Sequence, residues 1–247
     1  MGVLLCLFFL GVVGPIVLYG YILPMIALRP ERRSDLGPAW VGMIARGLVT
    51  FCRLGGARFE TEGRIDCAQP GVVIMNHQSV LEVAPLVYIL TPRLPRFVAR
   101  SRYAKRIPTV SQAIDFLDCI VIDPKRDRTG AVIAMRRAAD EGLRHVIMLF
   151  PEGHRTKDGE IAPFRPAGLT ALLSGRQLPV WVIVTDGAWR LGKVMRTFFG
   201  LGSVRSRSVV VERVISPLDP EALPKFIEER RQTMIQALAR MRAEAAH

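Results

Sequence analysis

The sequence predicts an α/β protein. We expect a central sheet, mainly parallel or mixed, flanked by helices, behind an N-terminal hydrophobic helix or two-helix hairpin that anchors it to a membrane. Three observations carry this. Residues 1–28 contain no Asp, Glu, Lys or Arg. After residue 60, short apolar runs alternate with amphipathic segments, the pattern of a largely parallel sheet covered on both faces. Half of the 247 residues are hydrophobic, enough to build a core and too many for a disordered chain. The boundaries that follow are 1–56 for the anchor and 57–247 for the folded domain.

As a helix, the apolar start is about 42 Å long at ~1.5 Å per residue. The hydrocarbon of a bilayer is about 30 Å thick. The segment is therefore long enough to cross, with kinks expected at Pro15 and Pro24. It lacks a basic n-region and an A-x-A site, and its run is too long for a cleaved signal peptide. Arg29, Arg32 and Arg33 follow at once and place the remainder on the cytoplasmic side. Trp40–Leu54 is apolar but carries Arg46 and Arg53. It reads as an amphipathic helix in the membrane interface or as a core-packed helix. The two segments together can also form a hairpin that enters one leaflet. Crossing and single-leaflet insertion both stand as readings of the sequence.

The body follows in order. Gly71–Met75 is an apolar run suited to a buried strand, and Val80–Leu90 reads as a helix. Arg96–Ala99 is a weak strand. Arg102–Ala113 has helical character broken by Pro108. Cys119–Ile122 is a strand, and Arg128–Gly142 is a helix with apolar Val132, Met135 and Ala139. His145–Phe150, Pro179–Val184 and Ser208–Val214 are strands. Glu221–Ala245 closes the chain as an amphipathic helix. Ligands of such folds bind beyond the carboxyl ends of strands, so the turns there merit the closest reading.

Charge narrows the function classes. The formal net charge is +12. Arginine dominates the cations and suits phosphate or carboxylate partners, because its planar fork bonds them bidentately. Six basic residues lie between Arg93 and Arg106: Arg93, Arg96, Arg100, Arg102, Lys105 and Arg106. They read as a solvated face or as contacts to anionic headgroups or donor phosphates. Nucleic acid is disfavoured: no binding motif accompanies the charge, and the start is apolar. Cys6, Cys52, Cys67 and Cys119 show no C-x-x-C pair, so neither a disulfide framework nor a zinc site is expected. No metal and no cofactor are implied. His145 reads as structural, and His247 carries no argument.

Two turns carry chemistry. Asn76-His77-Gln78-Ser79-Val80-Leu81-Glu82 follows the strand Gly71–Met75. His77 and Glu82, five apart, lie about 140° from one another on an ideal helix. They can meet if His77 sits in the turn before the helix and Glu82 in its first turn. A carboxylate that fixes the tautomer of an imidazole makes it a general base. Ser79 and Glu82 also match the capping box S-x-x-E, and one carboxylate can serve both ends. Phe150-Pro151-Glu152-Gly153-His154-Arg155-Thr156 follows the strand His145–Phe150. Gly153 permits an unusual backbone angle, and Arg155 offers a guanidinium where a phosphate can sit.

The two turns in this order, about 75 residues apart, resemble the glycerolipid acyltransferase family, which includes the 1-acylglycerol-3-phosphate acyltransferases. The resemblance covers roughly residues 60–215. The family's first motif is N-H-x-x-x-x-D and its third is F-P-E-G-T-R. It implies that His77 is the catalytic base and Glu82 its acidic partner, in place of the commoner Asp. It assigns acceptor binding to Glu152, Gly153 and Arg155, with Asn76, Ser79, Phe150 and Pro151 as supporting motif residues. His154 replaces the usual Thr. In the second motif, G-x-I-F-I-D-R, Pro124 stands after Asp123 where Arg is expected, and Lys125 or Arg126 takes its role. In the fourth, V-P-x-x-P, Pro179 fits and Val182 holds the second proline's place.

The implied reaction moves a fatty acyl group from acyl-CoA or acyl-carrier protein to the free hydroxyl of a lysolipid, 1-acylglycerol-3-phosphate first among them. The implied setting is the cytoplasmic face of a membrane with anionic lipids. No serine or cysteine sits in a nucleophile motif, so transfer is expected to be direct. Another lysolipid acceptor, phospholipid-derived or amino-acid-containing, stays open, as does hydrolysis with water in place of the acceptor. A non-catalytic membrane lipid-binding protein is the alternative outside enzymes.

Overall fold

The computed structural model describes residues 2–140, 146–190 and 200–245. His145 and His247 lie outside the described residues, as does Gly142 at the expected end of its helix. The N-terminal helix is continuous through residue 28. Its α-helical pieces Gly2–Phe8, Gly14–Val17 and Leu23–Leu28 are joined by π-turns at Phe9–Val13 and Leu18–Ile22; together they form α1. Each π-turn ends just ahead of a proline. Gly14 N–H reaches back five residues to Phe9, and Leu23 N–H to Leu18. The wider turns accommodate Pro15 and Pro24 without ending the helix.

Arg33–Leu54 is α2, longer than the predicted Trp40–Leu54 segment because Pro38 is tolerated in its second turn. It runs back along α1. Phe9 presses on Gly47, where an added Cβ would come within 2.2 Å of the ring, and it meets Phe51 at 5.0 Å between centroids. Only a glycine allows that approach. Trp40 meets Phe116 edge-on at 5.7 Å. The other side of α1 stays bare: Leu4, Phe8, Ile16 and Leu28 are exposed. Among the described residues one helix, Leu4–Leu28, is long and apolar enough to cross a membrane.

The remaining elements are β1 Arg58–Glu62, β2 Ile65–Asp66, β3 Gly71–Met75, β4 Leu90–Thr91, β5 Arg96–Arg100, α3 Val110–Phe116, β6 Ile120–Ile122, α4 Arg128–Asp140, β7 Val146–Leu149, α5 Pro166–Leu173, β8 Pro179–Asp186, β9 Arg205–Ile215 and α6 Leu223–Glu244. Among the described residues seven strands form one sheet in the order β1-β9-β8-β3-β7-β5-β6. All neighbours are parallel except β8 and β9, so the sheet is mixed and mostly parallel, with helices on its faces. β2 and β4 form a separate parallel pair. On β3, Val72 and Ile74 pack toward α4, α5 and α6, whereas Val73 and Met75 pack toward Leu86, Ile89 and Trp181. Both faces of the central strand are buried, which explains its unbroken apolar run.

Two expectations are corrected. Val80–Leu90 is not a helix but two 3₁₀ turns, Val80–Val83 and Pro85–Tyr88. Pro85 has no N–H to give the Leu81 carbonyl, so Ala84 bonds Leu81 three residues back instead. Likewise Arg102–Ala113 is a short 3₁₀ turn, Ser101–Tyr103, and α3 begins only after Pro108. β1 and α5 were not anticipated. Arg58–Glu62 is largely polar, and the apolar Pro166–Leu173 shows no helical stripe because three of its last four side chains are buried.

Candidate active site

The register of β3 on β7 builds the site. Ile74 stands beside Leu149, so the two chains leave the sheet level with one another, 75 residues apart. His77 and Glu152 therefore emerge as neighbours at adjacent carboxyl ends. Asn76 ends β3 by a side-chain imitation of a strand pair. Its amide donates to Thr185 O at 2.9 Å and accepts from Thr185 N at 2.8 Å. Asn76→Asp keeps the acceptor and turns the buried donor into a carboxylate facing a carbonyl. We expect a loss of about 3 kcal/mol of stability, or roughly 6–12 °C in Tm for a chain of this size, measured by thermal unfolding.

Glu82 makes the contacts of both a helix cap and an imidazole partner. Its Oε1 accepts from His77 Nδ1 at 2.5 Å, and its Oε2 accepts from the amides of Gln78 and Ser79, each at 2.8 Å. Ser79 Oγ accepts from Leu81 N at 3.2 Å, completing the capping box. The Glu82 side chain is fully buried and that of His77 is 19 % exposed. Burial pushes the Glu82 carboxyl up, against the pull of His77 and the two amides toward the carboxylate. With Nδ1–H assigned to the carboxylate, Nε2 is the lone-pair nitrogen. It has no hydrogen-bond partner among the described residues. The ring lies flat on Phe150, 4.0 Å between centroids. Carboxylate, stack and backbone thus hold the imidazole with Nε2 free of partners among the described residues.

The second turn wraps the first. Glu152 is fully buried, with Oε1 accepting from His77 N at 2.7 Å and Oε2 from Ala162 N at 2.8 Å. Burial pushes its carboxyl up, opposed by those two amides. Glu152, expected from the motif to hold the acceptor, has its side chain turned inward, where it clasps two backbone segments. Thr156 N–H donates to His77 O at 2.8 Å, a second clasp. Glu152→Gln would leave one of the two amides facing an NH₂. We expect a loss of about 1–3 kcal/mol in stability, seen in a melt without lipid.

Gly153 has φ +69°, and an added Cβ would sit 3.0 Å from Arg165 Cδ. Its carbonyl accepts from Arg100 Nη2. Pro151 O accepts from Arg165 N at 2.7 Å. His154 Nδ1 contacts Glu152 O at 3.0 Å, with the ring exposed. Arg155 is exposed and makes no hydrogen bond or ion pair among the described residues. Lys125 and Arg126 are exposed in the turn after β6, at the sheet edge two strands beyond β7, and no contact joins their side chains to His77 or the Pro151–Thr156 turn. Between them lies β5, whose Arg100 reaches Gly153 and whose neighbour Ser101 donates to Asp123 at 2.9 Å. Arg100 was noted in the sequence only as one of six basic residues. Gln78 was not singled out. It is buried, donates to Gly159 O at 3.1 Å and accepts from Trp189 N at 3.3 Å, tying the first turn to the loop after the second and to the residues that follow β8. No sequence spacing signals that contact.

Among the described residues, no group of three or more His, Cys, Asp or Glu is placed to hold a metal ion. The thiols of Cys67 and Cys119 are pushed up by burial to about 12 and about 11, which disfavours the thiolate needed by a nucleophile.

Residues 57–185, more than half of the chain, match the acyltransferase family model. The human 1-acyl-sn-glycerol-3-phosphate acyltransferase beta is 28% identical over 184 residues, which are 72% of this chain and 63% of that protein. The 1-acyl-sn-glycerol-3-phosphate acyltransferase of Limnanthes alba is 30% identical over 183 residues, 71% of this chain and 62% of that protein. The chain thus spans less than two thirds of the length of the curated relatives it matches. The crystal structure of the 1-acyl-sn-glycerophosphate (LPA) acyltransferase PlsC from Thermotoga maritima superposes with a TM-score of 0.69, at 20% identity, covering 96% of both chains. That likeness speaks to the fold.

Proposed function

The chain belongs to the acyltransferase family, and from that premise we propose that it transfers a fatty acyl group from acyl-CoA or acyl-carrier protein to the free hydroxyl of 1-acylglycerol-3-phosphate, giving phosphatidic acid. The observation that carries the reading is the His77–Glu82 pair at the carboxyl end of β3, with Nδ1 held and Nε2 free.

The proposed reaction uses that geometry. Nε2 removes the proton from the acceptor hydroxyl as its oxygen attacks the thioester carbonyl. The carbonyl becomes tetrahedral and collapses, the C–S bond breaks, and the ester forms. Imidazolium, stabilised by Glu82, returns the proton to the departing thiolate. No covalent acyl-enzyme is needed, because the acceptor brings its own nucleophile. Arg155 and Arg100, with Gly153, stand as the residues toward the acceptor phosphate, and Lys125 and Arg126 as an outer basic rim. Glu152 acts by positioning His77. The exposed His154 is the residue where acceptor preference would differ from relatives with Thr.

We place the catalytic face on the cytoplasmic side, with the anchor in a single leaflet. Support for the single leaflet comes from four contacts along the apolar segment and just beyond it. Cys6, near one end, meets Cys52 at 3.5 Å in a buried cluster that also holds Phe59, Ala84, Leu201 and Val204 of the folded domain. Leu10 and Tyr19 contact Thr109 and Gln112. Arg33, just beyond the other end, pairs with Asp115 at 2.9 Å. A helix crossing about 30 Å of hydrocarbon would carry one end away from that domain. The bare face of Leu4, Phe8, Ile16 and Leu28 is suited to lipid.

The test is an acyl-transfer assay with the full chain in vesicles, using acyl-CoA and acyl-carrier protein against a panel of lysolipids. Phosphatidic acid formed from lysophosphatidate supports the proposal. Transfer only to another lysolipid moves the acceptor assignment. Free fatty acid released without acceptor makes the enzyme a hydrolase. Absence of all three products overturns the proposal.

A further inference from the structure

The anchor is joined to the folded domain by more than apolar contact, at a point that Pro15 creates. In the π-turn Phe9–Val13 the Gly14 N–H bonds the Phe9 carbonyl. The next donor in that register would be the N–H of residue 15, which proline lacks. The Leu10 carbonyl is thus left without a helical donor. The Thr109 hydroxyl supplies one at 3.0 Å, from 99 residues away.

Thr109 is shaped for this. It is 6% exposed and holds φ +69°, ψ −47°, a backbone conformation that β-branched residues rarely adopt. It is also the N-cap of α3, yet its side chain makes no capping bond there. A threonine in that position ordinarily accepts from its own helix. Here the cap is forgone, the backbone is strained, and the hydroxyl points to the anchor. Strain of this kind persists where the surroundings over-determine it. The surroundings are close: an added Cβ on Gly14 would lie 2.9 Å from Ile44 Cδ1 and 3.7 Å from Thr109 Oγ1, and Trp40 Nε1 donates to Gly14 O at 3.3 Å. In an apolar setting no water replaces such a donor.

We propose that Thr109 is a positioning residue that latches the anchor to α3 and so holds His77 at a fixed depth relative to the lipid surface. The path is short. α3 leads into β6, β6 pairs with β5, and Arg100 at the end of β5 grips the Gly153 carbonyl beside His77. The proposal rests on the reading of residues 1–56 as a membrane anchor of a lysolipid acyltransferase.

The test compares Thr109→Val, which keeps the shape and removes the donor, with Thr109→Ser, which keeps the donor. Each full-length variant is assayed with lysophosphatidate in vesicles and with a short-chain, monomeric lysophosphatidate. Thr109→Val is expected to lower kcat/KM on vesicles about five- to tenfold, the scale of one hydrogen bond. Activity on the monomeric acceptor stays within about twofold, and Thr109→Ser recovers the vesicle activity. No loss on vesicles, or an equal loss on both acceptors, overturns the latch. A second readout is independent of activity: spin labels at Ile16→Cys and Ile133→Cys, on a Cys119→Ser background, report the distance between anchor and domain in vesicles. The distribution should broaden in Thr109→Val and not in Thr109→Ser. An unchanged distribution also overturns the latch. A wild type inactive on every acceptor, but with the narrow distribution, would defeat the acyltransferase reading and leave the latch standing.

Discussion

Glu82→Gln is expected to lower kcat by about 10⁴-fold while the protein stays folded. The reason lies in the donors around that side chain. Glu82 faces three: the Nδ1–H of His77 on one oxygen and the amides of Gln78 and Ser79 on the other. Glutamine has one oxygen and one NH₂. Turned toward the amides, its oxygen still completes the capping box. Its NH₂ then meets Nδ1 and demands a lone pair there, which moves the imidazole proton to Nε2. The base loses its basic nitrogen. The same tautomer change in a serine protease triad costs ~10⁴ in kcat with the geometry intact. The measurement is steady-state kcat beside a melting curve. Near-wild-type turnover would make Glu82 a helix cap only.

His77→Ala is expected to lower kcat by about 10²–10⁴-fold with little change in KM. The imidazole supplies proton transfer, whereas the acceptor phosphate is read by other groups, so binding and chemistry separate. The substitution leaves Glu82 with both amide donors and leaves Glu152 with the residue 77 backbone amide, so the two turns keep their clasps. The losses that remain are the stack on Phe150 and one partner of a buried carboxylate. A melt separates a folded inactive enzyme from an unfolded one. Retained turnover in a folded variant removes His77 from the chemistry.

These two predictions differ in how the sequence prepared them. The N-H-x-x-x-x-E and F-P-E-G-H-R turns were legible because each follows an apolar run that can only be a buried strand. What Glu82 does was not, since cap and dyad give the same letters. Glu152 shows a different limit: the motif points it toward the acceptor, and only the fold shows its carboxylate turned inward onto His77 N and Ala162 N. Gln78 and Arg100 carried no local signal, because their partners, Gly159 and Gly153, are 81 and 53 residues away.

The sequence by itself determined the parts whose cause is local. Its uncharged start, the buried strands β3 and β7, the turns that follow them and the helix break at Pro108 all come from residue types and spacing within a few positions. The prolines show the limit of that logic: Pro15 and Pro24 announce a kink, and π-turns absorb it. Only the tertiary structure decided what rests on pairing distant segments. It set the register that brings His77 level with Glu152, the order of strands that leaves Lys125 and Arg126 at the edge, and the meeting of Thr109 with Leu10. A register is fixed by the sum of many side-chain contacts across a sheet, and no single stretch of sequence contains that sum.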